Sequence, residues 1–133
     1  MFDDLDLIYH YSRAQALEDG VLVDETAAAK EAGFLLPLAL TQALHLYLTP
    51  SPHGEAHGQS YAGRLWDVLW MASFALRVHP KRKELNRLPF KVLFLRYPEP
   101  TYRPQQEEKL LTVVVGPGDA GEPVLTLGFP QDF

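Results

Sequence analysis

Lys109-Leu-Leu-Thr-Val-Val-Val-Gly-Pro-Gly-Asp-Ala-Gly-Glu-Pro-Val-Leu-Thr-Leu-Gly-Phe129 decides the fold. Lys109 to Val115 and Pro123 to Phe129 are runs of Val, Leu and Thr, side chains that suit a pleated, half-buried surface, and Pro or Gly bounds them. Between them, Gly116 to Glu122 leaves room only for a tight connection, so the two runs form an antiparallel hairpin. The glycines of Gly116-Pro-Gly-Asp-Ala-Gly121 also make a candidate nest of backbone N–H groups for an anion. No Lys-Ser/Thr follows, however, and the next element is a strand rather than a helix, so the segment reads as a turn. Asp119 is expected to bond its own turn backbone.

Upstream, Phe90 to Tyr97 is a third strand-like run, joined to the hairpin by the polar, proline-rich segment Pro98 to Glu108. The first half of the chain reads as helical. Ser12-Arg-Ala-Gln15 has capping-box form and opens a helix over 13–19 that stops at Gly20. Val21 to Asp24 is extended, Thr26 can cap a helix through Ala27 to Ala32 that ends at Gly33, and Pro37 suits the first position of a helix from Leu38 to Leu48. Residues 49–60 hold two prolines, two glycines and no apolar period, which predicts a mobile loop. Tyr61 to Val78 is the strongest helix, with Leu65, Leu69, Ala72 and Leu76 on one side and Trp66, Trp70 and Phe74 beside them. A face this wide is expected to be buried by the other helices and the sheet. Trp66 and Trp70 are accordingly expected in the core, and anchoring a partner is the alternative.

The expected fold class is therefore α+β: three to four helices packed on a C-terminal antiparallel sheet of at least three strands. Residues 1–133 form a single domain, with 49–60 as a mobile loop and 77–89 as a basic linker. A length of 133 residues with 47% hydrophobic content matches one core. No apolar run is long enough to cross a bilayer, and the acidic start Met1-Phe-Asp-Asp-Leu-Asp6 is unlike a signal peptide, which points to the cytoplasm. The absence of cysteine excludes disulfides, Fe–S clusters and thiolate-bound zinc. A single asparagine, Asn86, and 11 prolines resemble the usage of proteins adapted to heat.

The net charge of -5 is unevenly distributed. Residues 1–63 carry 2 basic and 9 acidic side chains, 64–103 carry 9 and 3, and 104–133 carry 1 and 5. Such segregation implies either an intramolecular match or a basic face for an acidic partner. Arg77, His79, Lys81, Arg82, Lys83 and Arg87 form the densest positive cluster and are the candidate partner-binding residues, partly accounted for by the dipole at the end of the long helix. Read as a nucleic-acid site, residues 77–87 lack interleaved aromatic residues. In His53-Gly-Glu-Ala-His57, His53 and His57 are weak candidate metal ligands, since Pro and Gly there argue for loop rather than the helix a zinc motif needs. No catalytic residue set and no cofactor site is evident.

Ile8-Tyr-His-Tyr-Ser12 followed by Gly20-Val-Leu22 resembles the opening of ADP-ribosyltransferase-like folds, which implies that His10 holds a nicotinamide ribose. That family also uses a catalytic Glu on a later strand, for which no match is found. Tyr11-Ser-Arg-Ala-Gln-Ala-Leu-Glu-Asp-Gly-Val-Leu-Val-Asp24, Ala32-Gly-Phe34, Gly63-Arg-Leu-Trp-Asp-Val-Leu-Trp-Met71 and Gly116-Pro-Gly-Asp-Ala-Gly-Glu-Pro-Val124 together resemble an uncharacterised family of small bacteriophage- and plasmid-encoded proteins. The resemblance implies a non-enzymatic protein that binds and modulates a host protein or protein–nucleic-acid machine, such as RNA polymerase or a defence nuclease. An enzyme using His10 and a direct nucleic-acid binder are the alternatives.

Overall fold

The computed structural model describes residues 11–81, 84–100 and 103–133. In chain order the elements are α1 (Arg13–Glu18), β1 (Leu22–Asp24), α2 (Thr26–Glu31), β2 (Leu38–Thr41), α3 (Gln42–Leu48), α4 (Pro52–Ala56), α5 (Tyr61–Val78), β3 (Arg87–Arg96), β4 (Gln105–Pro117) and β5 (Pro123–Gly128), with a closing 3₁₀ turn at Pro130–Asp132. The α+β class is as expected. The sheet differs from expectation in two respects: it has five strands in the order β1-β2-β5-β4-β3, and it is mixed, because β2 runs parallel to β5 while the other pairs are antiparallel.

The expected helix from Leu38 to Leu48 is divided at Thr41. Leu38 to Thr41 pairs with β1 on one side and β5 on the other, and all four residues are buried. Thr41 then caps α3, its hydroxyl accepting from the Leu44 N–H at 3.3 Å. Lateral pairing on both sides thus overrides the helical spacing of the leucines. Residues 49–60 are likewise not an unstructured loop. Ser51 accepts the Gly54 N–H at 3.0 Å, Pro52 occupies the first turn, and Pro52–Ala56 forms the short helix α4. The basic linker is also shorter than 77–89, because Arg77 and Val78 still belong to α5 and Arg87 opens β3.

Alternation along the strands builds the core on one face of the sheet. Leu40, Leu127, Val113 and Leu88 lie side by side across β2, β5, β4 and β3, and Phe90, Val92, Phe94 and Leu111 continue the same face. Ala29, Leu44, Leu48, Leu65, Val68, Leu69 and Ala72 of the helices cover it.

The hairpin joins β4 to β5 as predicted, closed by Gly118 N–H donating to the Glu122 carbonyl and by Gly121 at φ 82°, a conformation that favours glycine. Asp119 also reaches outside its own turn. Its carboxylate accepts the N–H groups of Arg13 and Ala14 at 2.7 and 3.0 Å, while Glu122 accepts the N–H of Ala120. Asp119 therefore supplements the cap of α1 from 106 residues away. Arg13 completes the tie by donating to Thr126 Oγ1 and the Leu125 carbonyl. Asp119→Ala is expected to cost about 1 kcal/mol, as removal of a helix cap does. Urea denaturation measures it, and an unchanged midpoint would show that Ser12 suffices.

Candidate partner-binding site

α5 lies over β3, and β3 is an edge strand. That placement determines which side chains of the helix are covered. Leu65, Val68, Leu69 and Ala72 face the sheet and are buried. One residue further round, Trp66, Trp70, Phe74 and Val78 recur every fourth position, and among the described residues no neighbouring element covers them. They are 44%, 50%, 50% and 59% exposed. The expectation that both tryptophans are core residues is thus overturned, because among the described residues no element flanks α5 on the open side of β3. Leu93 and Leu95 of β3 add further exposed apolar surface. Monomeric proteins seldom leave a patch of this kind open without a use for it.

A trough follows the boundary between helix and strand. A hollow of about 560 Å³ is lined by Gln59, Arg64, Trp66, Asp67, Leu93, Leu95 and Tyr97, among others. A second, of about 410 Å³, continues along Asp67, Trp70, Met71, Lys91 and Leu93. Burial raises the carboxyl of Asp67 above its ordinary range, against the pull of Arg64. Lys91 reaches across to Glu108 at 3.5 Å.

Arg64 organises one end of the trough. Its guanidinium lies 5.2 Å from the Tyr47 ring centroid and 5.1 Å from that of Phe94, and donates to the carbonyls of Tyr47 and Leu95. Tyr47 in turn donates to Glu107 Oε1 at 2.6 Å, and Arg96 bonds the other oxygen at 2.8 Å, with Lys109 at 3.5 Å. Tyr47 is pushed up to about 12 by burial and then by Glu107. The Tyr47 hydroxyl, Arg96 and Lys109 hold Glu107 below the usual carboxylate range, against the opposing effect of burial. Because the folded state lowers this value, the stabilisation is present above the ordinary carboxylate range and disappears as pH falls through the folded value. Glu107→Gln is therefore expected to flatten the acid limb of stability as pH falls through and below the ordinary carboxylate range, measured by urea unfolding at each pH. An unchanged limb would assign it to other carboxylates.

The predicted basic cluster is only partly gathered. Arg77, Lys81 and Arg87 are exposed, and His79 accepts the Lys81 N–H at 3.1 Å. Arg77 lies 5.5 Å from the Trp70 ring and Arg87 5.6 Å from that of Phe133. Arg82 and Lys83 lie outside the described residues, as does His10. Within the basic segment, Lys91 and Arg96 are matched by Glu108 and Glu107, so part of the charge segregation is resolved within the molecule.

His53 and His57 do come together, contrary to the loop expected there. α4 sets their ring centroids 4.6 Å apart, His57 Nδ1 is 2.8 Å from the His53 carbonyl, and the His57 ring stacks on Tyr97 at 4.7 Å. Among the described residues no group of three or more His, Cys, Asp or Glu is arranged to hold a metal ion. A second polar chain runs from Glu25 Oε1 to the Tyr61 hydroxyl at 2.7 Å and on to His45 Nδ1 at 2.9 Å. It ties the start of α5 to α3 and to the segment before α2. Among the described residues no helix is long and apolar enough to cross a membrane.

No curated protein and no solved structure matches the chain. A family of unknown function (DUF6573) matches it over residues 1–133, and the chain belongs to that family.

Proposed function

We propose that this chain is a non-enzymatic interaction protein of bacteriophage or plasmid origin that binds and modulates a host protein or protein–nucleic-acid machine in the cytoplasm. The observation that carries the reading is the uncovered row Trp66, Trp70, Phe74 and Val78 on a helix whose opposite face is fully buried. Tryptophan is over-represented among residues that dominate binding energy, and a groove-lining tryptophan supplies large contact area with few rotors to freeze. Arg77 at the C-terminal end of the same helix, Lys81 just beyond it and Arg87 at the start of β3 give the site a positive margin that steers an acidic partner.

The test is affinity capture from host lysate with the wild-type chain and with Trp66→Ala/Trp70→Ala in parallel. A specific protein recovered by the first and absent from the second supports the reading. Equal recovery by both overturns the assignment of binding to this row, and no recovery by either alongside NAD turnover overturns the function and favours the His10 enzyme. Direct nucleic-acid binding is favoured by one observation, Arg77 set against the exposed Trp70 ring. Filter binding that falls steeply with salt and vanishes on replacing Lys81, Arg82 and Lys83 with Ala would select it.

A further inference from the structure

The edge of β3 is unevenly protected. In an antiparallel pair, alternate residues turn both backbone groups toward the partner or away from it. Val115 N–H bonds the Asn86 carbonyl, and on the opposite side Gln59 Nε2 bonds the Leu95 carbonyl at 2.6 Å. Parity therefore directs the backbone groups of Arg87, Pro89, Lys91, Leu93 and Leu95 to the open edge. Pro89 stands at one of these positions, where its missing N–H removes no bond to β4. Proline at one end, with Gln59 and Arg64 on the Leu95 carbonyl at the other, closes the edge to random pairing.

Between these stops, the N–H and C=O groups of Lys91 and Leu93 face outward, and no other described residue bonds them. They border the trough beneath Trp66 and Trp70. Asp67 lies in both halves of that trough, and among the described residues it has no hydrogen-bond or ion-pair partner.

Resting on the binding function above, we propose that the trough receives an extended segment of the partner protein, added to β3 as a sixth strand at Lys91–Leu93. Its apolar side chains lie against Trp66 and Trp70, and a lysine or arginine lies opposite Asp67. The backbone supplies the unpaired acceptors and donors, the alternate side chains supply selectivity, and the carboxylate supplies a charge requirement.

The probe is a phage-displayed library of random twelve-residue peptides selected on the full chain, with the enriched peptide then synthesised. Trp66 and Trp70 are the only tryptophans, so emission excited selectively from tryptophan reports on this trough alone. The expected results are alternating apolar positions with one basic residue, and a shift of emission to shorter wavelength on binding. N-methylation of the peptide amides that face β3 should weaken binding about tenfold, while methylation of the intervening amides should leave it unchanged. Asp67→Asn should weaken the peptide but not a version whose basic residue is replaced by methionine. Leu93→Pro, which removes only an outward N–H, should fold and lose the peptide, whereas Leu93→Ala should retain most binding.

Absence of any enriched sequence, insensitivity to N-methylation, or sedimentation showing a dimer with both tryptophans already covered overturns the strand-addition proposal. If the library yields nothing while Trp66→Ala/Trp70→Ala still abolishes partner capture, strand addition falls and the binding function stands. If neither has an effect, both fall.

Discussion

Trp66→Ala/Trp70→Ala is expected to weaken partner binding by at least about 100-fold while changing folding stability by no more than about 1 kcal/mol. The asymmetry follows from where the two rings sit. Each is about half exposed in the free chain, so truncation removes little packing, apart from the Arg77 contact with Trp70. An exposed cation–π contact is worth about 0.5–1 kcal/mol. In a complex the same rings are desolvated at the centre of the interface, where each truncation typically costs about 2 kcal/mol or more. Titration calorimetry with the captured partner and urea denaturation of the free variant measure the two quantities. Comparable changes in both would mean that the rings support the fold and not the interface.

Leu127→Ala is expected to show the reverse pattern, with about 2–5 kcal/mol of stability lost. Leu127 is fully buried on the central strand β5, between Leu40 on β2 and Val113 on β4. The surrounding side chains belong to three strands and cannot collapse into the space without breaking register. Since a domain of this size is held by roughly 5–15 kcal/mol, this single change removes a large share. The urea midpoint should fall with an unchanged slope, and Leu93→Ala on the exposed edge should move it by less than about 0.5 kcal/mol. A small effect at Leu127 would mean that the core on this face is loosely packed.

The parts of the fold that were legible in the sequence are those whose determinants are local. Gly116 to Glu122 announces its turn through its glycines and proline, and Ser12 announces α1 by a side-chain cap that accepts the N–H three residues on. β2 failed for the opposite reason. Leu38 to Leu48 has helical spacing throughout, and pairing with β1 on one side and with β5, about 90 positions later, on the other makes its first four residues a strand. Two local signals there were available, Thr41 before α3 and Ser51-Pro52 before α4, both ordinary N-terminal caps. The candidate site was less legible than the fold. Trp66 and Trp70 were visible as a pair, but whether such a pair is covered depends on α5 lying over the last strand of a sheet, which no window of sequence contains. The basic residues were singled out by composition alone, and the strand edge that borders the trough carries no composition signal at all.

The strand order has a consequence for how the molecule is made. β5, the last strand in the chain, sits in the middle of the sheet and alone connects β1 and β2 to β4 and β3. During synthesis the two halves of the sheet emerge with nothing to join them until Gly128 has cleared the ribosome. A nascent chain therefore carries the Trp66 to Val78 row beside a core that is also still open, and only the core is closed when β5 arrives. Ribosome-bound chains stalled before Pro123 should consequently remain chaperone substrates, and emergence of β5 should act as the trigger for a single late folding event.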